Sequence, residues 1–182
     1  MIDLWFLDQS GFAPTLPTGY GWGRRGHRLV VPYEAPQGRR VNVVGALAPY
    51  APAGPRFLFE TRRKAEGRYD AIAHLAFVDR VAQAGIPARP CVIVLDNYSV
   101  HHSQPVKAAV PGLAARAVRF TFLPPYSPEL NPIEAQWKQV KHQDIPERSH
   151  ATDVALQAAV ERALTNRART LHESTLDLPR PA

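Results

Sequence analysis

The sequence predicts an α/β fold, a mixed sheet covered by helices. Two observations carry this. Three strand-length apolar runs follow one another near the N-terminus, joined by turn-rich segments rather than helices. Beyond them, apolar runs alternate with stretches of helical period, the pattern of strands connected through helices. The 182 residues are 45% hydrophobic and 21% charged, ordinary values for one globular domain. Neither an internal repeat nor an independent second domain is visible.

Taken in order, Ile2 to Leu7 is a short apolar strand with Asp3 near its start, ending on Asp8. Ser10 to Gly26 is rich in Gly and Pro and reads as loop. Trp22 and a basic cluster of Arg24, Arg25, His27 and Arg28 lie toward its far end. Leu29 to Tyr33 reads as a minor strand, and Val41 to Leu47 and Arg56 to Glu60 as two further strands. Tyr69 to Ala84 has the helical period and is stopped by Gly85 and Pro87. Cys91 to Leu95 is continuously apolar, as a strand buried on both faces should be. Ser103 to Ala115 fits a helix with Ser103 as its cap, and Val118 to Leu123 the next strand. A helix over Asn131 to Val140 and a last one near Asp153 to Arg167 follow, with a frayed tail from Asp177.

The formal net charge of +6 and a pI near 9.8 suit a protein that meets a polyanion, without requiring one. Cys91 is the only cysteine. It excludes an internal disulfide and a cysteine-based zinc site, and reads as a small buried hydrophobe. The longest apolar runs are strand-sized, so no membrane span or signal peptide is expected, and a cytoplasmic protein is the economical reading.

Three acids stand at the ends of elements. Asp8 follows Leu4-Trp5-Phe6-Leu7, and Asp96 follows Val92-Ile93-Val94-Leu95, at the carboxyl end of a central strand where α/β sheets place their ligand crevices. Each is equally open to a turn in which the Asp bonds its own backbone. Glu134 has a stronger structural rival. Asn131 is a good N-cap, Pro132 suits the first helical position, and Glu134 then completes a near capping box. Against that, Ile133, Trp137 and Val140 form the buried stripe of this helix, with Glu134 beside it. Lys138 and Lys141 follow on Glu134's own face, a basic row suited to phosphates or simply a solvated face. Three converging carboxylates would repel one another without a cation. Magnesium or manganese, hard ions that take carboxylate oxygen, resolves this, and a pair of such ions suits in-line phosphoryl displacement.

LDNYSVHHS followed by LPPYSPELNPIEAQWKQVK resembles the catalytic core of DDE transposases of bacterial insertion sequences, in the mariner superfamily. FLDQSGF is similar to that family's first acidic motif, GYGWGRRGHR to its Trp and basic segment, and VNVVGALAP to the strand that follows, all collinear. The resemblance implies an RNase H-like mixed sheet, three antiparallel strands then parallel ones, flanked by helices. It implies Asp8, Asp96 and Glu134 as ligands of two Mg²⁺ (or Mn²⁺) ions in DNA strand cleavage and strand transfer. Asn97 would orient Asp96, with Asn131 supporting Glu134 from the helix start. His101 would contact substrate or cap the next helix, and Trp22, Arg24, Arg25, Lys138 and Lys141 would lie against DNA.

The implied partners are transposon-end and target DNA, and a homodimer or larger assembly. Gln9 departs from the glutamate usual after the first Asp. With its first acid at position 8, the chain is expected to be one catalytic domain over 1–182. Its core spans about 2–142 and its C-terminal helix about 150–168. The N-terminal helix-turn-helix domain is expected to be absent, the chain being the product of a split reading frame with a separately encoded helix-turn-helix partner, a truncated copy or an isolated domain. A catalytically inactive DNA-binding remnant and an RNase H-like nuclease are the alternative readings.

Overall fold

In a computed structural model, which describes residues 2–17, 24–28, 30–51 and 57–176, five strands form one sheet. These are β1 (Asp3–Phe12), β2 (Val41–Leu47), β3 (Phe57–Arg63), β4 (Cys91–Leu95) and β5 (Val118–Phe122). Their order is β3-β2-β1-β4-β5. The first three pair antiparallel, whereas β4 pairs parallel with both β1 and β5. This is the mixed sheet read from the sequence.

Four helices cover it: α1 (Ala71–Gln83), α2 (Gln104–Ala115), α3 (Ile133–Gln139) and α4 (Asp153–Leu176). Strand alternation divides the core in two. Trp5, Leu7, Val44, Ala46, Ile93 and Leu95 pack with Phe77, Val78 and Val81 of α1 and Leu113 of α2. Val41, Val43, Leu47 and Phe57 pack on the other face with Ile133 and Trp137 of α3 and Leu156, Val160 and Leu164 of α4. Each sheet face therefore carries one helix pair.

Several boundaries differ from the sequence reading, each for a local reason. β1 does not stop at Leu7. Its pairing with β4 ends at Phe6↔Val94, but pairing with β2 continues to Phe12↔Val41. Asp8 is thus a mid-strand residue, and the loop begins later than Ser10. Residues 30–33 form no strand, and Leu29 lies outside the described residues. β3 runs to Arg63, because β2 offers partners along its whole length. α1 starts on Asp70, whose carboxylate accepts from the Ala73 amide at 2.9 Å.

Ser103 is the N-cap residue of α2, yet its hydroxyl makes no capping bond. α3 continues into a π-helical turn, Val140–Asp144. α4 extends past Arg167 to Leu176, and the tail from Asp177 lies outside the described residues. No described helix is long and apolar enough to cross a membrane. Cys91 is buried and unpaired, its thiol pushed up to about 12 chiefly by burial.

Candidate active site

Alternation along β1 decides which way Asp8 faces. Leu7 points into the α1/α2 core, so Asp8 points to the α3 side. Asp96 has the same parity on β4, one step beyond Leu95. The parallel register Phe6↔Val94, continued by two residues, sets Asp8 beside Asp96. Strands at this spacing lie about 4.8 Å apart. Glu134 arrives from α3, whose buried residues Ile133 and Trp137 seat it on the sheet. All three acids line one cavity of about 460 Å³, with Asn97, Tyr98, Asn131 and the turn Leu123 to Pro128.

Each carboxylate is held differently. Asp8 is buried, and its Oδ2 accepts the Trp137 indole N–H at 2.9 Å. Burial, then the neighbouring Glu134 and more weakly Asp96, raise its pKa from the ordinary carboxylate value to about 6, against hydrogen bonds from the Gln9 backbone and Trp137. Asp96 is half-exposed. Its Oδ1 accepts from His101 Nε2 and from the Tyr98 amide, both at 3.1 Å. The His101 bond is the main reason its pKa is lowered. Glu134 is exposed and forms no capping box. Asn131 Oδ1 is buried without a partner, and only the Asn131 carbonyl receives the Glu134 amide. The helix start gains no side-chain cap, and the glutamate is left free for the cavity.

The other expected residues fall in several places. Asn97 donates to the Leu123 carbonyl at 2.8 Å, and the Leu123 amide donates back to Leu95. It therefore ties the ends of β4 and β5 together rather than orienting Asp96. His101 is buried, so it is neither a surface contact nor the cap of α2; it holds Asp96 from behind. Its ring packs 4.5 Å from that of His74, whose Nδ1 lies 3.1 Å from the Tyr69 hydroxyl. Burial, then His101, lower the pKa of His74 to about 3, so it is neutral.

Lys138 is exposed one turn beyond Glu134. Lys141 lies in the π-helical turn with its Nζ 5.3 Å over the Phe12 ring, and burial lowers its pKa. Arg24 and Arg25 are exposed and do not line the cavity. Trp22 lies outside the described residues. Asp3, at the start of β1, is structural. Its Oδ2 accepts from Trp5 Nε1 and the Ile86 amide, joining the start of β1 to the turn after α1.

Four contributions escaped the sequence reading: the indole bond to Asp8, Gly45 of β2 in register with Asp8, the His74–His101 pair and Arg148. The side chain of Arg148 donates to the Lys141 carbonyl at 3.0 Å, fixing the π-helical turn. Two signals were available. A buried Trp needs a partner for its N–H, and an isolated strand glycine marks close approach. At the cavity lip, Tyr126 is fully exposed and holds φ at 56°, a left-handed conformation rare for a bulky residue. Among the described residues, no three His, Cys, Asp or Glu side chains converge as a ready-made cage for one ion. Asp96 is turned toward His101 and Tyr98.

A five-stranded mixed sheet in the order β3-β2-β1-β4-β5, three strands antiparallel and the rest parallel, flanked by helices, is the RNase H-like class of fold. The model of the DDE superfamily endonucleases matches residues 3–157, and the chain belongs to that family. No curated protein sequence matches the chain.

Among solved structures, a Mos1 transposase paired-end complex with left transposon end superposes with a TM-score of 0.63 at 13% identity, covering 95% of this chain and 53% of that one. The Mos1 strand transfer complex gives 0.57 at 12%, covering 98% and 56%. A mariner Mos1 paired-end complex with Mn gives 0.57 at 13%, covering 98% and 57%. The chain thus spans about half the length of these relatives. At such identity they speak to fold, and the fold is the one the resemblance implied.

Proposed function

We propose that this chain is the catalytic domain of a DDE transposase, cleaving DNA and joining the freed 3′ end to target DNA. One observation carries the proposal. Three carboxylates from β1, the end of β4 and α3 line a single cavity, in a chain of the DDE endonuclease family. The donor set fits a divalent cation. It is all oxygen, it sets Glu134 and Asp96 beside an Asp8 whose pKa is raised first by burial and then by those charges, and it includes the buried, unmatched Asn131 Oδ1. Asp8, Asp96 and Glu134 would hold two Mg²⁺ or Mn²⁺ ions, hard cations suited to carboxylate oxygen. Such ions, when bound, activate the attacking oxygen and stabilise the leaving one.

The chain's own residues supply position. Trp137 fixes Asp8, and His101 with the Tyr98 amide fixes Asp96. Asn97 closes the strand ends beneath the Pro124-Pro125 turn. Lys138, Arg24 and Arg25, all exposed, would contact phosphates, giving affinity rather than sequence choice. Lys141, half-buried beside Glu134 and Asp8, would add positive field at the cavity. The solved relatives include a paired-end complex with left transposon end and a strand transfer complex, which supports DNA as the substrate and an assembly on paired ends as the working form. A helix-turn-helix protein would supply end recognition.

The test is nicking of transposon-end DNA in Mg²⁺ or Mn²⁺, wild type against Asp96→Asn. Wild type should cut and the variant should not. Absence of metal-dependent cleavage, with a helix-turn-helix partner supplied, would reject the proposal.

A further inference from the structure

Asp8 and Gln9 are consecutive on β1 and point to opposite faces of the sheet. Behind the carboxylate cavity, across that strand, lies a second cavity of about 580 Å³. Gln9, Arg40, Lys64, Arg68, Tyr69 and Tyr98 line it, and Tyr98 lines both cavities. Tyr98 therefore stands between the two, just past the end of β4.

The charges of this second cavity are distributed selectively. Neighbouring arginines are committed to carboxylates: Arg39 to Glu34, Arg62 to Glu60 and Arg63 to Glu66. Arg40, Lys64 and Arg68 are exposed and, among the described residues, make no ion pair. They stand on three different segments: the start of β2, the turn after β3 and the approach to α1. Gln9 adds a buried Nε2 donor with no acceptor. A carboxylate at position 9 would oppose an anion, whereas an amide offers it a hydrogen. Tyr98, about half-exposed, stands at the junction, where an aromatic face can support a base.

We propose that this cavity binds the sugar–phosphate backbone of the nucleic-acid strand that continues from the carboxylate site around Tyr98. Arg40, Lys64, Arg68 and Gln9 Nε2 take its phosphate oxygens. Three unpaired cations on separate segments define a track rather than a point, so the ligand is a polymer of phosphates and not a lone anion. The inference rests on the proposed phosphodiester chemistry for its direction.

Binding is measured by fluorescence anisotropy with labelled single-stranded and duplex DNA, in the Asp96→Asn background so that nothing is cut. The salt concentration is varied from about 50 to about 300 mM. R40A/K64A/R68A should weaken binding about tenfold or more at moderate salt. Its log–log salt slope should fall by about 2 on single strands, at roughly 0.7 per phosphate contact. R89A/K107A/R119A, which removes the same charge from elsewhere, should change the slope by much less. Indistinguishable slopes for the two triple variants would overturn the proposal. If the first triple does not fold, Arg40→Gln, Lys64→Gln and Arg68→Gln taken singly replace it, each expected to lower the slope by about 0.7. Unchanged slopes in all three would overturn the proposal equally. Because the readout is binding, cleavage by the wild type separately decides the enzymatic reading.

Discussion

The indole of Trp137 donates to the Asp8 carboxylate at 2.9 Å, joining residues far apart in sequence. The bond depends on what β2 lacks. Gly45 sits opposite Asp8 in the antiparallel register, and a Cβ there would lie 2.5 Å from Trp137 Cη2 and 2.9 Å from Cζ2. The ring occupies the space of the missing side chain. Strand register, glycine and indole together fix both Asp8 and the helix that carries Glu134.

Trp137→Phe keeps an aromatic ring beside Phe57 but removes the donor. Loss of a hydrogen bond to a buried carboxylate costs about 1.5–3 kcal/mol, measurable by denaturant unfolding. Gly45→Ala forces the indole off its seat, at a cost of about 1–3 kcal/mol typical of overpacking. Both act on one contact, so the double variant should lose less than the sum of the singles. Strict additivity would show that Gly45 and Trp137 are not coupled in this way.

Divalent metal should stabilise the fold as well as support chemistry. In metal-free protein Asp8 is buried beside Glu134 and Asp96, and burial first, then those charges, raise its pKa to about 6. A cation that binds only the folded state adds about 2.7 kcal/mol at a hundred times its dissociation constant. Thermal unfolding with Mn²⁺ against EDTA should show a clear upward shift for wild type. Asp8→Asn should shift little, and should be the more stable protein in EDTA at neutral pH. Equal shifts in both proteins would place the metal elsewhere.

The His74 pair gives a pH dependence of known sign. His74 is buried against His101, Tyr69 and Phe120, with its pKa lowered from 6.5 to about 3. The unfolded chain therefore binds the proton first. The stability contributed by neutral His74 is fully present above pH 6.5 and is lost as pH falls toward 3. His74→Phe removes that titration. Its unfolding free energy should fall less steeply than that of wild type between pH 6.5 and 4, by at most about 1.4 kcal/mol per pH unit. Parallel curves would contradict it.

Periodicity made the sheet and its helices legible, because apolar runs of strand and helix length are local facts. The stripe of Ile133, Trp137 and Val140 was readable on the same ground, and all three are buried. The end of β1 was not. DQSGF looks like a turn, and only the long-range pairing with β2 makes it strand. Glu134 was ambiguous between cap and site, because Asn-Pro-Ile-Glu satisfies the pattern of both. Asn131 Oδ1 is buried and takes no hydrogen bond from the helix start, which decides against the cap. Trp137 read as one residue of a buried stripe and Gly45 as part of a strand run, and only their juxtaposition gives them a role.

His101 offers the sharpest test of how Asp96 is positioned. Its Nε2 donates to Asp96 Oδ1, while its ring rests on His74, so His101→Phe retains the ring contact and loses the donor. Buried hydrogen-bond partners of ligating side chains typically matter about 10–100-fold in metal affinity or activity. The nicking rate should fall in that range, and the Mn²⁺ concentration for half-maximal rate should rise. DNA affinity should stay at the wild-type value, because a buried imidazole touches no strand. A phenylalanine variant that binds DNA poorly but keeps its metal dependence would return His101 to the role of a surface contact. Retained metal affinity with a slow rate would instead locate its effect in the orientation of Asp96 alone.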